Sequence, residues 1–303
     1  MFNVNADIAA IHKACKGFGT DDKTLIAILA NRDGRTIDEI RRNYTPGNLV
    51  RLLDKEASGN FRIALMATAM GPIGSGVFWA HRAIAGAGTN EPMLTEAVMG
   101  RPNFEITGMK QQYQEVYSRP LDADVANDLS MKTKTLFAMA LQSHKPDEGV
   151  QPDLLQIQGD VSALYAASKG RVGTDENTVC QIFTRCNQEQ LRAIAHEYGR
   201  RHGDIVKMVK SEFSGHMREA LLYIVEGAID KARRDATLLE AAMAGFGTKD
   251  ELLVMRVVRI HWDRQHLENV KAAYRAIYNK ELAKRIKGET SGSYRDMLLE
   301  LIK

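Results

Sequence analysis

Apolar residues along this chain recur at helical spacing. Leu25, Ile26 and Leu29 fall at i, i+1 and i+4, and Leu221, Leu222 and Val225 repeat that arrangement far downstream. Such a stripe lines one face of a helix. Runs that alternate apolar and polar residues, the mark of a half-buried strand, are scarce. The pattern therefore predicts an all-α protein.

Two short phrases punctuate the helical segments, each four times. The first is a glycine turn closed by threonine: Gly17-Phe18-Gly19-Thr20, Gly86-Ala87-Gly88-Thr89, Arg171-Val172-Gly173-Thr174 and Gly245-Phe246-Gly247-Thr248. The second is an acid two residues before a serine: Glu56 with Ser58, Asp128 with Ser130, Glu212 with Ser214, Glu289 with Ser291. Internal repetition at this period marks a repeat architecture. The glycines before threonine stand at 19, 88, 173 and 247, giving steps of 69, 85 and 74. The long middle step holds a polar segment, His144 to Asp153, with Pro146 and Pro152, which reads as a linker. The organisation expected is a head (1–4), repeats at 5–71 and 72–143, a linker (144–155), and repeats at 156–229 and 230–303, with about five helices per repeat. The linker divides the four into two sequential halves.

Local chemistry supports helix starts after each turn. Each threonine is a natural N-cap, and acids follow it: Asp21 and Asp22, Glu91, Asp175 and Glu176, Asp250 and Glu251. They favour the positive end of the helix dipole. Thr248-Lys249-Asp250-Glu251 reads as a capping box, and Ser58, Ser130, Ser214 and Ser291 as caps of each repeat's last helix.

Composition narrows the function. Of 303 residues 44% are hydrophobic and 26% charged, and 41 basic residues against 38 acidic ones leave a net charge of +3. That balance does not predict nucleic-acid binding, which concentrates basic charge. No apolar run approaches the roughly 20 residues of a membrane-spanning helix, and the N-terminus lacks the pattern of a signal peptide. Cys15, Cys180 and Cys186 have no metal-ligand spacing and read as reduced, packed thiols in a cytoplasmic protein. No P-loop, nucleophile elbow, Rossmann fingerprint or EF-hand loop occurs, so no enzymatic activity is expected. His196, His202, His261 and His266 lack partners at ligand spacing and read as surface or core residues.

The repeated phrases supply what a hard cation requires. Calcium takes six to eight oxygens from carboxylates, carbonyls and water. A glycine turn can curl and aim successive carbonyls outward, and one distant acid can close the site. The acid follows the threonine by 36, 39, 38 and 41 positions in the four repeats. With these motifs in hand, the chain resembles the annexins, over essentially its whole length from about residue 5 to 303. The resemblance implies a curved disc of four five-helix repeats with calcium sites on its convex face. Each site would use three loop carbonyls and a bidentate carboxylate, with lipid phosphate completing the shell.

Carried over residue by residue, the resemblance implies carbonyls of Cys15, Gly17 and Gly19 with Glu56 in repeat one, and of Ile84, Gly86 and Gly88 with Asp128 in repeat two. It implies Ser168, Arg171 and Gly173 with Glu212 in repeat three, and Met243, Gly245 and Gly247 with Glu289 in repeat four. Lys16 would reach lipid phosphate, and the crest residues Phe18, Val172 and Phe246 the lipid interface. Departures are visible too. Ala85 and Ala244 replace the family's lysine before the loop, the first repeat is short by three residues and the fourth long by two. The segment Gly76-Val77-Phe78-Trp79 lacks the acids of the family's central pore, so a channel role is not expected, and the head is short for partner binding. Arg32, Arg101 and Arg185 read as structural ties. The expectation is a monomer in solution that binds acidic phospholipid membranes peripherally and reversibly when calcium is present. The alternative is a calcium-independent helical scaffold for protein partners. Ranked by loop glycines, the third site is expected to be the weakest.

Overall fold

The first repeat folds as five helices: α1 (Val4–Ala14), α2 (Asp22–Leu29), α3 (Gly34–Asn43), α4 (Leu49–Glu56) and α5 (Gly59–Ala69). The structure, a computed structural model, describes residues 3–17, 19–170 and 172–303, and also leaves the side chain of residue 131 undescribed. The second repeat has α6 (Gly71–Ile84), α7 (Glu91–Val98), α8 (Asn103–Tyr117), α9 (Leu121–Asp128) and α10 (Met131–Gln142). The third has α11 (Leu154–Ala167), α12 (Glu176–Arg185), α13 (Gln188–His202), α14 (Ile205–Glu212) and the first part of α15 (Gly215–Met243). Asp230 interrupts α15 with φ −152° and ψ 90°, so its second part opens the fourth repeat. That repeat continues with α16 (Asp250–His261), α17 (Arg264–Tyr278), α18 (Leu282–Glu289) and α19 (Gly292–Leu301). Each repeat thus has five helical segments, and no strand forms among the described residues.

The helix starts differ from the sequence expectation by one residue. The caps of α2, α7 and α12 are Asp21, Asn90 and Asp175, whose side chains accept from the backbone of Thr24, Met93 and Thr178. Lys249 caps α16 without a side-chain bond, so the expected capping box there does not form. One forms instead at Asn187 and Gln190. Ser58, Ser130 and Ser291 do sit at the N-cap positions of α5, α10 and α19, but their hydroxyls make no capping bond. The threonines miss the cap because three of their four hydroxyls are drawn to distant carboxylates.

The chain divides into two compact units, Met1–Ser75 with Asp235–Lys303, and Gly76–Arg234. Repeat one therefore groups with repeat four and repeat two with repeat three, rather than in sequential halves. In the first unit α5 packs on α16 and α19, and α19 also on α2. Leu25, Leu29, Leu65, Leu253, Val257 and Leu298 are fully buried there. Helix α16 buries most of its circumference, as expected of a helix enclosed by its neighbours. In the second unit α10 packs on α12, burying Leu136, Phe137, Val179 and Phe183. All three cysteines are buried and free. Burial pushes the Cys180 thiol up to about 12 and the Cys186 thiol to about 11.

The arginines read as ties form ion pairs. Arg32 donates through Nε and Nη2 to both oxygens of Asp7, at 2.7 and 2.8 Å, joining the end of α2 to α1. Arg185 pairs with Asp160 at the same 25-residue separation in repeat three. Arg101 differs: it pairs with Glu105 at 2.7 Å and donates to the Ala97 carbonyl.

His261, on α16, is buried with Nδ1 2.8 Å from the Leu301 carbonyl. Burial holds its pKa down to about 4, against an ordinary value of 6.5. Between those values the unfolded chain takes up a proton that the native state refuses, so this contribution to stability falls as pH falls from 6.5 to 4. The melting temperature of His261→Gln is expected to decline less steeply over that range than that of the native chain. Parallel profiles would show that no neutral buried imidazole is at work.

Candidate functional site: the four interhelical loops

One backbone bond staples each loop at its base. Asp21 donates to Ala14, Asn90 to Ala83, Asp175 to Ala167 and Lys249 to Ala242, each at 2.8 Å. The staple closes over the turn that follows each helix end, where Cys15 and Ala244 still bond back to Ile11 and Glu240. The glycine before each threonine is left-handed: Gly19 at φ +81°, Gly88 at +87°, Gly173 at +81° and Gly247 at +81°. A Cβ there would meet open space, so the requirement is conformational rather than steric crowding. Gly17 and Gly245 are left-handed as well, at +109° and +97°, but Gly86 is not. The third loop thus keeps the one glycine that all four loops use. Among the described residues no hydrogen bond is made to the carbonyls of Gly17, Gly19, Gly86, Gly88, Gly173, Gly245 or Gly247.

The threonine hydroxyl then ties loop to acid. Thr89 Oγ1 donates to the Asp128 carboxylate, Thr174 Oγ1 to Glu212 Oε2 at 2.8 Å, and Thr248 Oγ1 to Glu289 Oε2 at 3.1 Å. Three loops are therefore joined to the C-terminal residue of a helix some forty residues onward. In the first repeat Thr20 donates to Asp22 instead, at 2.5 Å, and Glu56 stays exposed at the end of α4. The interval from Thr20 to Glu56, 36 positions, is also the shortest of the four. Glu56 still lies near the loop: burial first, and then the Glu56 charge, push the Cys15 thiol up to about 11.

The loops differ in what else reaches the acid. No ion pair forms to Asp128 or Glu56 among the described residues. Lys169 Nζ stands 2.8 Å from Glu212 Oε1, and this bond, with that from Thr174, holds the Glu212 carboxyl below its ordinary pKa. In the fourth repeat Arg285 pairs with Glu289 and lowers its pKa, with Thr248 adding to it. Sequence reasoning missed both cations. Arg285 stands four residues before Glu289 on one helix face, and Lys169 lies inside the third loop.

Each loop offers one carboxylate with backbone oxygens, and among the described residues no group of three or more His, Cys, Asp or Glu side chains assembles. That donor set suits a hard, oxygen-seeking cation rather than zinc or copper. At the crests Val172 and Phe246 are fully exposed, and Lys16 and Ala87 are exposed too. Ser168 is buried, its hydroxyl bonded to the Leu164 carbonyl at 2.6 Å. Phe18 and Arg171, expected at a crest and as a ligand, lie outside the described residues. Among the described residues no helix is long and apolar enough to cross a membrane.

Fold and loops together define a four-repeat helical protein with one oxygen-lined turn per repeat, each near a carboxylate. The profile of the annexin family matches residues 6–68, 79–139, 159–224 and 234–301, and the chain belongs to that family, known for calcium-dependent phospholipid binding. It is 40% identical to Annexin C1 of Cryptococcus neoformans var. grubii over 99% of its own length, spanning 65% of that protein. It is 33% identical to Annexin A13 of Mus musculus, covering 99% of this chain and 95% of that one. Among solved structures, annexin III superposes with a TM-score of 0.90 at 29% identity, over 99% and 94% of the two chains. A calcium-bound annexin (Sm)1 superposes with a TM-score of 0.87 at 26% identity, over 99% and 90%.

Proposed function

We propose that this protein binds acidic phospholipid membranes peripherally and reversibly when calcium is present, through its interhelical loops. The observation that carries this reading is the threonine bond that brings a remote carboxylate to a loop of unpaired carbonyls. The Asp128 loop is the clearest case: carbonyls of Ile84, Gly86 and Gly88 would serve as ligands with the Asp128 carboxylate. Cys15, Gly17 and Gly19 would serve with Glu56 in repeat one, and Gly173 and Ser168 with Glu212 in repeat three once Lys169 swings aside. Bound calcium would supply a divalent charge with positions left for lipid phosphate. Lys16 adds charge beside the first loop, and Val172 and Phe246 present apolar surface to the interface.

One carboxylate per loop predicts weak calcium binding without lipid. Calcium and membrane then raise each other's affinity, since each completes the other's site. The reading places the protein in the cytoplasm as a monomer that moves to membranes as calcium rises, with no enzymatic activity and no nucleic-acid partner. Co-sedimentation with phosphatidylserine vesicles is expected in calcium and not in chelator, and not with phosphatidylcholine alone. Equal sedimentation in calcium and in chelator would favour a calcium-independent scaffold for protein partners.

A further inference from the structure

The fourth loop differs from the others in what stands between its oxygens. Arg285 Nη1 donates to the Glu289 carboxylate, and Nη2 donates to the Met243 carbonyl at 2.5 Å. Those two acceptors are the carboxylate and the first carbonyl that a cation in this loop would use. Nε is turned the other way, 3.2 Å from Glu240 Oε2, and Glu240 also accepts from the Tyr274 hydroxyl. All three nitrogens of the guanidinium are engaged, by acceptors from two parts of the fourth repeat, α18 and the end of α15. Both members of the pair are largely covered, at 19% exposure for Arg285 and 26% for Glu289.

The arrangement is confined to one repeat. Four residues before the acid, the other repeats carry Leu52, Asp124 and Met208. Three residues before the first expected ligand, they carry His12, His81 and Tyr165 where the fourth carries Glu240. His12 and His81 meet Tyr44 and Tyr113 through hydrogen bonds of 3.0 and 3.1 Å. Glu240 meets the equivalent Tyr274 and adds a charge that holds Arg285. Arginine and acid thus form a matched set, with Glu240 anchoring the fork that is aimed into the loop.

We propose that Arg285 is the resident cation of the fourth loop, taking the place that calcium would take, so that repeat four keeps its loop shaped without the metal. Its planar fork meets two oxygen acceptors at fixed spacing, which an ammonium cannot imitate. Lys169 in the third loop is the contrast. It makes one contact to Glu212 and is 47% exposed, so it can leave for water at little cost. For Arg285 to leave, Glu240, Glu289 and the Met243 carbonyl must all lose a partner at once. This inference rests on the reading of the other loops as calcium sites only for its membrane consequence.

Glu289→Gln and Arg285→Gln test it, with melting in chelator and calcium titration of phosphatidylserine vesicle binding as readouts. Glu289→Gln is expected to lower the chelator melting temperature, because it breaks an ion pair, and to leave the calcium midpoint within about twofold of native. Arg285→Gln is expected to lower the calcium midpoint by at least about twofold, as a further loop joins the coupled equilibrium. Glu289→Gln added to it should cancel that gain. The proposal is overturned if Glu289→Gln raises the calcium midpoint as Asp128→Asn does while melting in chelator is unchanged. An unaltered midpoint in folded Arg285→Gln overturns it equally. Should Arg285→Gln not fold, the two Glu289→Gln readouts decide. If Asp128→Asn leaves vesicle binding unchanged, the wider calcium reading fails, and melting of Glu289→Gln in chelator still tests the clamp by itself.

Discussion

Glu56→Gln combined with Asp128→Asn is expected to raise the calcium needed for half-maximal vesicle binding by on the order of tenfold or more. These are the two loops in which no lysine or arginine pairs with the acid among the described residues. Each carboxylate would supply the whole formal charge of its proposed ligand set, the other proposed ligands being neutral carbonyls. An amide keeps the shape and one oxygen but forfeits that charge. Folding should be little affected. Glu56 is exposed without a hydrogen-bond partner among the described residues, and the asparagine that replaces Asp128 still offers Thr89 an acceptor. Changes at such positions usually stay within about 0.5–1 kcal/mol. The paired measurements are melting in chelator and calcium titration with phosphatidylserine vesicles. A midpoint that stays near native in the folded double variant would remove these carboxylates from the calcium sites.

Arg32→Ala is expected to destabilise the unit built from repeats one and four by about 3–5 kcal/mol. The Arg32–Asp7 pair is bidentate and largely buried, at 14% and 10% side-chain exposure. Removing the guanidinium leaves Asp7 with a charge that water reaches poorly, and the lost stem adds a packing defect. For a unit of this size the change corresponds to a fall in melting temperature of roughly 10 °C. Arg35→Ala is the control. Arg35 meets Glu39 at 3.3 Å but is 89% exposed, so its loss should cost less than about 1 kcal/mol. Equal losses for the two variants would show that burial of the Arg32 pair contributes nothing.

Much of this protein is legible in its sequence because its information is local and repeated four times. A helix face is written at spacings of three and four residues, and a left-handed turn demands glycine at one position. Gly19, Gly88, Gly173 and Gly247 announced the loops, and the acids at 56, 128, 212 and 289 could be matched to them by recurrence alone. The shortened first repeat was visible too, as 36 positions from Thr20 to Glu56, but not that Thr20 would bond Asp22 in place of the distant acid.

What the sequence left open is decided by partners that meet only in three dimensions. Nothing local says that repeat one packs on repeat four, since that grouping depends on which apolar faces of α5 and α16 exclude water together. The threonines look like helix caps until the fold brings a carboxylate within reach. A charged acceptor from about forty residues away then wins over the adjacent backbone, and the next residue takes the cap. The third loop looked poorest by its glycines, yet it keeps the left-handed Gly173 that all four share. In the fourth loop the glycines and acid are all present. Whether their oxygens face water or a guanidinium depends on Glu240, which lies 45 residues before Arg285 and is brought beside it by the packing of α15 and α18. Spacing along the chain determines which oxygens each loop can offer, and the tertiary structure decides which cation they meet, because charge acts through space at a few ångströms and takes no account of sequence distance.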